Sequence, residues 1–193
     1  LKDARQTSSS NRPTVITNAL NGKQVLNFDG TDDLLQLPSS LSLFKNLAGM
    51  TIVTVDNQDT LTANQAVFSV PNSTGARVRF RHLGTDGQWT VSIKAQDGGT
   101  DDEYYSGGGN VPTADIWYIN VVKIDFVGNS LNVWKNGTLV KTVADIHSSG
   151  NCSNTDAVED PTLYASTQYA VQCFDGQSAM VIVYSGAMND TNR

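Results

Sequence analysis

The sequence predicts an all-β fold, a two-sheet antiparallel β-sandwich with one short helix. Three observations predict it. β-branched and aromatic residues alternate with polar ones at period two, most plainly Trp89, Val91 and Ile93 against Thr90, Ser92 and Lys94. Turn signals such as Asn21-Gly22, Asp86-Gly87 and Asn136-Gly137 punctuate the chain at the spacing of about 8–12 residues that sandwiches show. Only Ser39 to Gly49 carries a helical pattern: Leu41, Phe44, Leu47 and Ala48 share a face, a serine caps the start and Gly49 suits the stop.

The elements follow in order. Residues 1–13 are polar and read as an arm or linker ahead of one domain over 14–193. Thr14 to Thr17 and Lys23 to Phe28 are strands around Asn21-Gly22, with Leu26 and Phe28 on one face. After the helical window come strands at Thr51 to Val55, Gln65 to Val70, Val78 to Phe80 and Trp89 to Ile93. Arg77, Arg79 and Arg81 alternate with Val78 and Phe80, which gives one buried and one cationic face. Gln96 to Asn110 is loop-like, with Tyr104-Tyr105 before a glycine run. A long strand spans Ile116 to Phe126, a hairpin surrounds Asn136-Gly137, and strands at Leu163 to Ala165 and Met180 to Tyr184 close the chain.

Composition narrows the function. A net charge of −6 and a pI near 4.7 argue against binding a phosphate backbone, so no nucleic-acid partner is expected. No apolar run approaches the roughly 20 residues that span a bilayer, so no membrane insertion is expected. The polar start without Met is that of a processed chain or of part of a longer one. Cys152 and Cys173 are either two thiols or one disulfide, which at this loop length is worth roughly 3 kcal/mol.

Two turns share the motif Phe-Asp-Gly: Phe28-Asp29-Gly30-Thr31-Asp32-Asp33 and Phe174-Asp175-Gly176. Asp29, Asp32 and Asp33 either hydrogen-bond their own backbone or hold a hard cation, calcium being the candidate. Together with the Trp117–Asp125 strand, the Asn129–Gly137 turn and strand, and the Phe174–Tyr184 segment, the first motif resembles the concanavalin A-like lectin/glucanase superfamily, specifically its laminin G-like jelly-roll domains. The resemblance covers roughly residues 14–193 and is carried by short motifs. It implies two packed antiparallel sheets with the terminal strands adjacent and the two Phe-Asp-Gly turns on related parts of the sandwich. It implies a lectin-like binding or adhesion domain in a secreted or virion assembly, as in phage decoration or host attachment. The expected partners are a glycan or cell-surface polysaccharide, together with proteins of that assembly. A purely structural spacer is the alternative, and the expected location is extracellular or on a virion surface.

No catalysis is expected. Glucanases of this fold set acidic residues at alternate positions of one strand, whereas the chain's two glutamates, Glu103 and Glu159, both fall in loop-like stretches. Polysaccharide lyases of this fold use a His/Tyr pair with Arg and Gln; His82 with Arg77, Arg79 and Arg81 either takes that role or, as the preferred reading, belongs to a solvated cationic sheet face. Sugar rings stack on exposed aromatic side chains. Tyr104 and Tyr105 are the first candidates, as a sugar platform or as a loop anchor. Trp134, which alternation points outward, is the next, while Trp89 and Trp117 are expected in the core.

Overall fold

Two antiparallel sheets face each other in the computed structural model, which describes residues 3–72, 75–84, 88–95, 102–107, 111–152, 159–167 and 172–188. The side chains at 72 and 75–77 also fall outside the description. The Asp86-Gly87 turn and the side chain of Arg77 therefore lie beyond it.

The seven-stranded sheet is built from β1 (Thr14–Leu20), β2 (Lys23–Asp29), β4 (Gly49–Gln58), β9 (Trp117–Asp125), β10 (Ser130–Lys135), β11 (Thr138–Val143) and β13 (Asp175–Tyr184). Its spatial order is β1-β2-β13-β4-β9-β10-β11. The six-stranded sheet contains β3 (Leu35–Gln36), β5 (Gln65–Asn72), β6 (Gly75–His82), β7 (Trp89–Ile93), β8 (Asp102–Tyr105) and β12 (Thr162–Leu163), in the order β3-β12-β5-β6-β7-β8. Asn21-Gly22 and Asn136-Gly137 turn the β1–β2 and β10–β11 hairpins with positive φ at both residues, the geometry that matches strand twist. The arm is tied to the sandwich: Arg5 exchanges backbone hydrogen bonds with Gln36, and Asn11 O accepts from Leu34 N.

The alternating residues of both sheets meet in one core. Met50, Ile52, Val122, Ile124 and Leu131 from one sheet pack against Phe68, Val78, Phe80, Trp89 and Val91 from the other. The two Phe-Asp-Gly turns are neighbours: Asp175 pairs with Asp29 and Gly176 with Phe28 in the β2–β13 ladder, and Gly30 N donates to Phe174 O at 3.0 Å. Both glycines are needed there. Gly30 has φ +73 and a Cβ on it would lie 2.8 Å from Asp175 Cβ, while one on Gly176 would lie 2.2 Å from Asn57 O.

Two expectations are corrected. The helix over Ser39 to Gly49 is only a 3-10 turn at Leu41–Phe44, and Lys45 is already extended. Its apolar residues serve a packed loop: the Phe44 ring lies tilted against Phe68 at 5.7 Å, and Leu47 forms an isolated backbone bridge with Cys152. Fewer than three turns of helix gain little on their own, so tertiary packing decides the conformation. Cys152 and Cys173 are not bridged to each other. Cys152 is buried in the main core, and Cys173 sits in a separate small cluster with Leu34 and Ala165. Among the described residues no helix is long and apolar enough to cross a membrane.

Candidate glycan-recognition face

Strand pairing decides which side chains leave the sandwich together. Phe80 pairs with Val91 and points into the core, so its neighbours Arg79 and Arg81 point out, beside their partners Ser92 and Thr90. β8 adds Glu103 opposite Ser92 and Tyr105 opposite Thr90. Gln172, next to Cys173, reaches the same face, held by the backbone bond from Ala66 N to Gln172 O. Thr90, Ser92 and Arg81 are buried although they face away from the core, so on this outer face they lie in a recess covered by other side chains.

Its hydrogen bonds converge on two acceptors. Glu103 Oε1 accepts from Arg81 Nε at 3.1 Å, from Arg81 Nη2 and from Ser92 Oγ at 2.9 Å, and Glu103 Oε2 accepts from the Tyr105 hydroxyl at 3.0 Å. Burial alone raises the Glu103 carboxyl, but the Arg81 and Ser92 hydrogen bonds, the Arg81 charge and the Tyr105 hydroxyl outweigh it and hold it below the usual range. The second acceptor is Gln172 Oε1, which receives Arg79 Nη1 and Arg81 Nη1, each at 3.3 Å. Two guanidinium groups thus share one neutral amide oxygen.

The candidate aromatics separate. Tyr105 is 39 % exposed at the rim of this recess. Tyr104 pairs with Val91, turns inward and packs against the core; burial and the charges of Asp102 and Asp145 push its hydroxyl up to about 12. The stretch expected as a loop is in fact the edge strand β8, so adjacent tyrosines face opposite sides. Trp134 does lie beside Val121 on the face opposite Leu131 and Val133, yet it is only 7 % exposed and offers no platform. Trp117, expected in the core, is instead half-buried on the outside of the seven-stranded sheet opposite Asn57. Trp89 is in the core as expected.

His82 takes no part in the recess. It is buried on the inner side of β6, its ring edge-on to Trp89 at 5.8 Å, and alternation separates it from Arg79 and Arg81. Sequence reasoning missed Glu103, Ser92 and Gln172 because pairing, not spacing, brings them together. The available signal was two arginines at i and i+2 ahead of a hairpin whose second strand offers Thr90 and Ser92.

Asp29, Asp32 and Asp33 present carboxylate oxygens within 4.8 Å of one another. The turn already uses them: Asp29 Oδ1 accepts from Thr31 N and Asp32 N at 2.9 and 3.3 Å, and Asp33 Oδ2 accepts from Asp29 N at 3.1 Å. Burial raises the Asp33 carboxyl, the Asp29 amide lowers it, and the charges of Asp29 and Asp32 raise it further.

No protein-family model and no curated protein sequence matches the chain. Solved structures do. The CBM40 of the Ruminococcus gnavus IT-sialidase, bound to α2,3 sialyllactose, superposes with a TM-score of 0.71 at 17 % identity, over 86 % of this chain and 92 % of that one. A leech intramolecular trans-sialidase complexed with 2,7-anhydro-Neu5Ac matches with a TM-score of 0.71 at 18 % identity, over 86 % of this chain but only 26 % of that one. A heptameric SAP-like pentraxin of Limulus polyphemus matches with a TM-score of 0.63 at 13 % identity, over 84 % of this chain and 76 % of that one. At these identities the likeness is one of fold: the chain is a two-sheet jelly roll consistent with the concanavalin A-like sandwich.

Proposed function

We propose that the chain is a non-catalytic, lectin-like glycan-binding module that takes a carboxylate-bearing sugar in the recess on the outer face of β6, β7 and β8. The observation that carries the reading is the convergence of Arg79 and Arg81 on the single Gln172 Oε1. The guanidinium donors are already ionised, and a sugar carboxylate in place of that amide oxygen adds the acceptor's opposite charge and two oxygens that can accept from both arginines. Tyr105 supplies a ring for the sugar's C–H face, and Glu103 holds Arg81 and Tyr105 in position while staying ionised. Structural neighbours bound to sialyllactose support an acidic sugar as the ligand class. No described pair of carboxylates sits in the recess, which leaves Glu103 without the partner that glycoside hydrolysis uses. The same reading proposes a module that works outside a cell or on a virion, in a secreted or phage assembly.

Titration calorimetry with sialyllactose and with neutral lactose tests the reading. Sialyllactose is expected to bind and lactose to bind at least tenfold more weakly; Arg79→Gln and Tyr105→Ala each weaken sialyllactose severalfold or more without lowering the melting temperature. Equal binding of the two sugars, or wild-type affinity in Arg79→Gln, sinks it.

We also propose that Asp29, Asp32 and Asp33 hold calcium. The support is their mutual repulsion around a half-buried turn, which a divalent cation relieves. Millimolar Ca²⁺ is then expected to raise the melting temperature, and Asp32→Asn to remove the increment. An unchanged melting temperature at that concentration excludes a structural site.

A further inference from the structure

The outer face of the seven-stranded sheet is apolar where a solvated sheet face is ordinarily polar. Cross-strand partners share a face, so the ladders read it row by row. One row is Met180–Val55–Ile119. The next crosses five strands as Ile182–Val53–Val121–Trp134–Leu139. Ile119 is 50 % and Leu139 49 % exposed, and Met180 is exposed as well. Contiguous apolar surface of this kind marks an interaction site.

The flanking rows are polar and almost uncharged. On one side lie Gln177, Asn57 and Trp117, on the other Tyr184, Thr51, Lys123 and Asn132. Lys123 is the one charged side chain in these four rows, in a chain of net charge −6.

We infer that this face is the contact between two copies of the chain, related by a two-fold axis that crosses the strands at the level of Thr54 and Asn120. The register selects that axis. Thr54 pairs with Asn120, and Trp117 and Lys123 stand three residues to either side of Asn120 on β9. A rotation about this axis lays β9 of one copy over β9 of the other, with Lys123 of each above Trp117 of its partner and Ile119 against Val121. The sole charge of these four rows meets an aromatic ring instead of its own image, a favourable cation–π contact. Five strands at about 4.8 Å and three side-chain steps of about 6.8 Å give a footprint of roughly 480 Å². That is below the roughly 800 Å² per partner of a stable pair, so the dimer is a weak one.

Sedimentation velocity over a range of concentration tests the contact on the chain as it stands. The expected result is a reversible shift from a 20.8 kDa monomer towards twice that mass, with a dissociation constant on the order of 10–100 μM. Ile119→Glu and Leu139→Lys, both at half-exposed positions, each weaken association at least tenfold with unchanged melting temperature. Lys123→Glu weakens it severalfold while Lys123→Arg preserves it, and the Trp117 signal, the part of the tryptophan emission lost in Trp117→Phe, follows the dimer fraction. A monomer up to about 500 μM overturns the inference. So does a dimer indifferent to Ile119→Glu and Leu139→Lys, or a Trp117 signal driven by sialyllactose at constant mass.

Discussion

Asp56 is a buried carboxyl whose ionisation couples the interior of the sandwich to pH. It points from β4 into the sandwich, where Tyr164 donates its hydroxyl to Asp56 Oδ1 at 2.8 Å and shares a short hydrogen bond with Ser178 Oγ. Tyr164 is itself wedged between Phe28 and Phe174, at ring distances of 4.2 and 5.0 Å. Burial raises the Asp56 carboxyl to about 6, against the hydrogen bonds of Thr54, Tyr164 and Ser178 that lower it. A carboxyl raised on folding contributes stability that is complete below its unfolded value near 4 and is lost as pH rises through about 6. The loss amounts to about 3 kcal/mol. Asp56→Asn keeps the acceptor for Tyr164 and removes the ionisation. Its melting temperature is therefore expected to exceed that of the wild type at pH 8 and to approach it at pH 5. Equal curves at both pH values contradict a buried, ionising Asp56.

β8 is the edge strand of its sheet, and its two faces do different work. Glu103 and Tyr105 enter the recess while Tyr104 packs inward, so the strand's position sets the geometry around Arg81. A clasp fastens its start: His147 Nδ1 and Asp102 Oδ2 are 2.6 Å apart, joining β8 to the segment after β11. That segment is fixed by Asp145 Oδ1, which accepts from His147 N and from Asn129 Nδ2, and by Asn129 Oδ1, which accepts from Ile146 N and Ser148 N. The Asp102 hydrogen bond and the charges of Asp102 and Asp145 raise the His147 imidazole above its ordinary value. A base raised on folding stabilises below its unfolded value, and the contribution disappears as pH rises through the folded value. His147→Ala is therefore expected to increase hydrogen exchange of the β8 amides at pH 5.5 and to change it little at pH 9. An equal effect at both pH values argues that the ring only packs.

At the scale of the molecule, the two sheets present opposite chemistry outward. The six-stranded sheet shows a polar recess into which two guanidinium groups converge, suited to a small anionic ligand. The seven-stranded sheet shows neutral apolar rows, suited to a surface like itself. Ligand recess and self-contact therefore lie on opposite faces of the sandwich, and a dimer made through one leaves both recesses open. The two recesses then point away from each other, so a dimer cannot seat both on one flat surface but can bridge two glycan-bearing surfaces. In this arrangement Ile119→Glu is expected to leave the affinity for soluble sialyllactose unchanged and to abolish cross-linking of sialylated beads; cross-linking that persists in Ile119→Glu contradicts bridging through this dimer.

The sequence by itself determined the all-β class, most strand positions and the hairpin turns, because period-two alternation and Asn-Gly turns are local signals that need no partner. It also pointed to the kinship of the two Phe-Asp-Gly turns, which the β2–β13 ladder makes adjacent. Tertiary structure alone decided the rest. It reduced the Ser39 to Gly49 pattern to a single 3-10 turn, kept Cys152 and Cys173 in separate clusters, and exchanged the expected exposures of Trp117 and Trp134. It drew Glu103 out of an apparent loop to Arg81, and Gln172 across more than ninety residues to Arg79. Alternation tells which residues share a side of one strand, but which strands lie next to each other, and what covers them, follows from long-range pairing that no window of sequence contains.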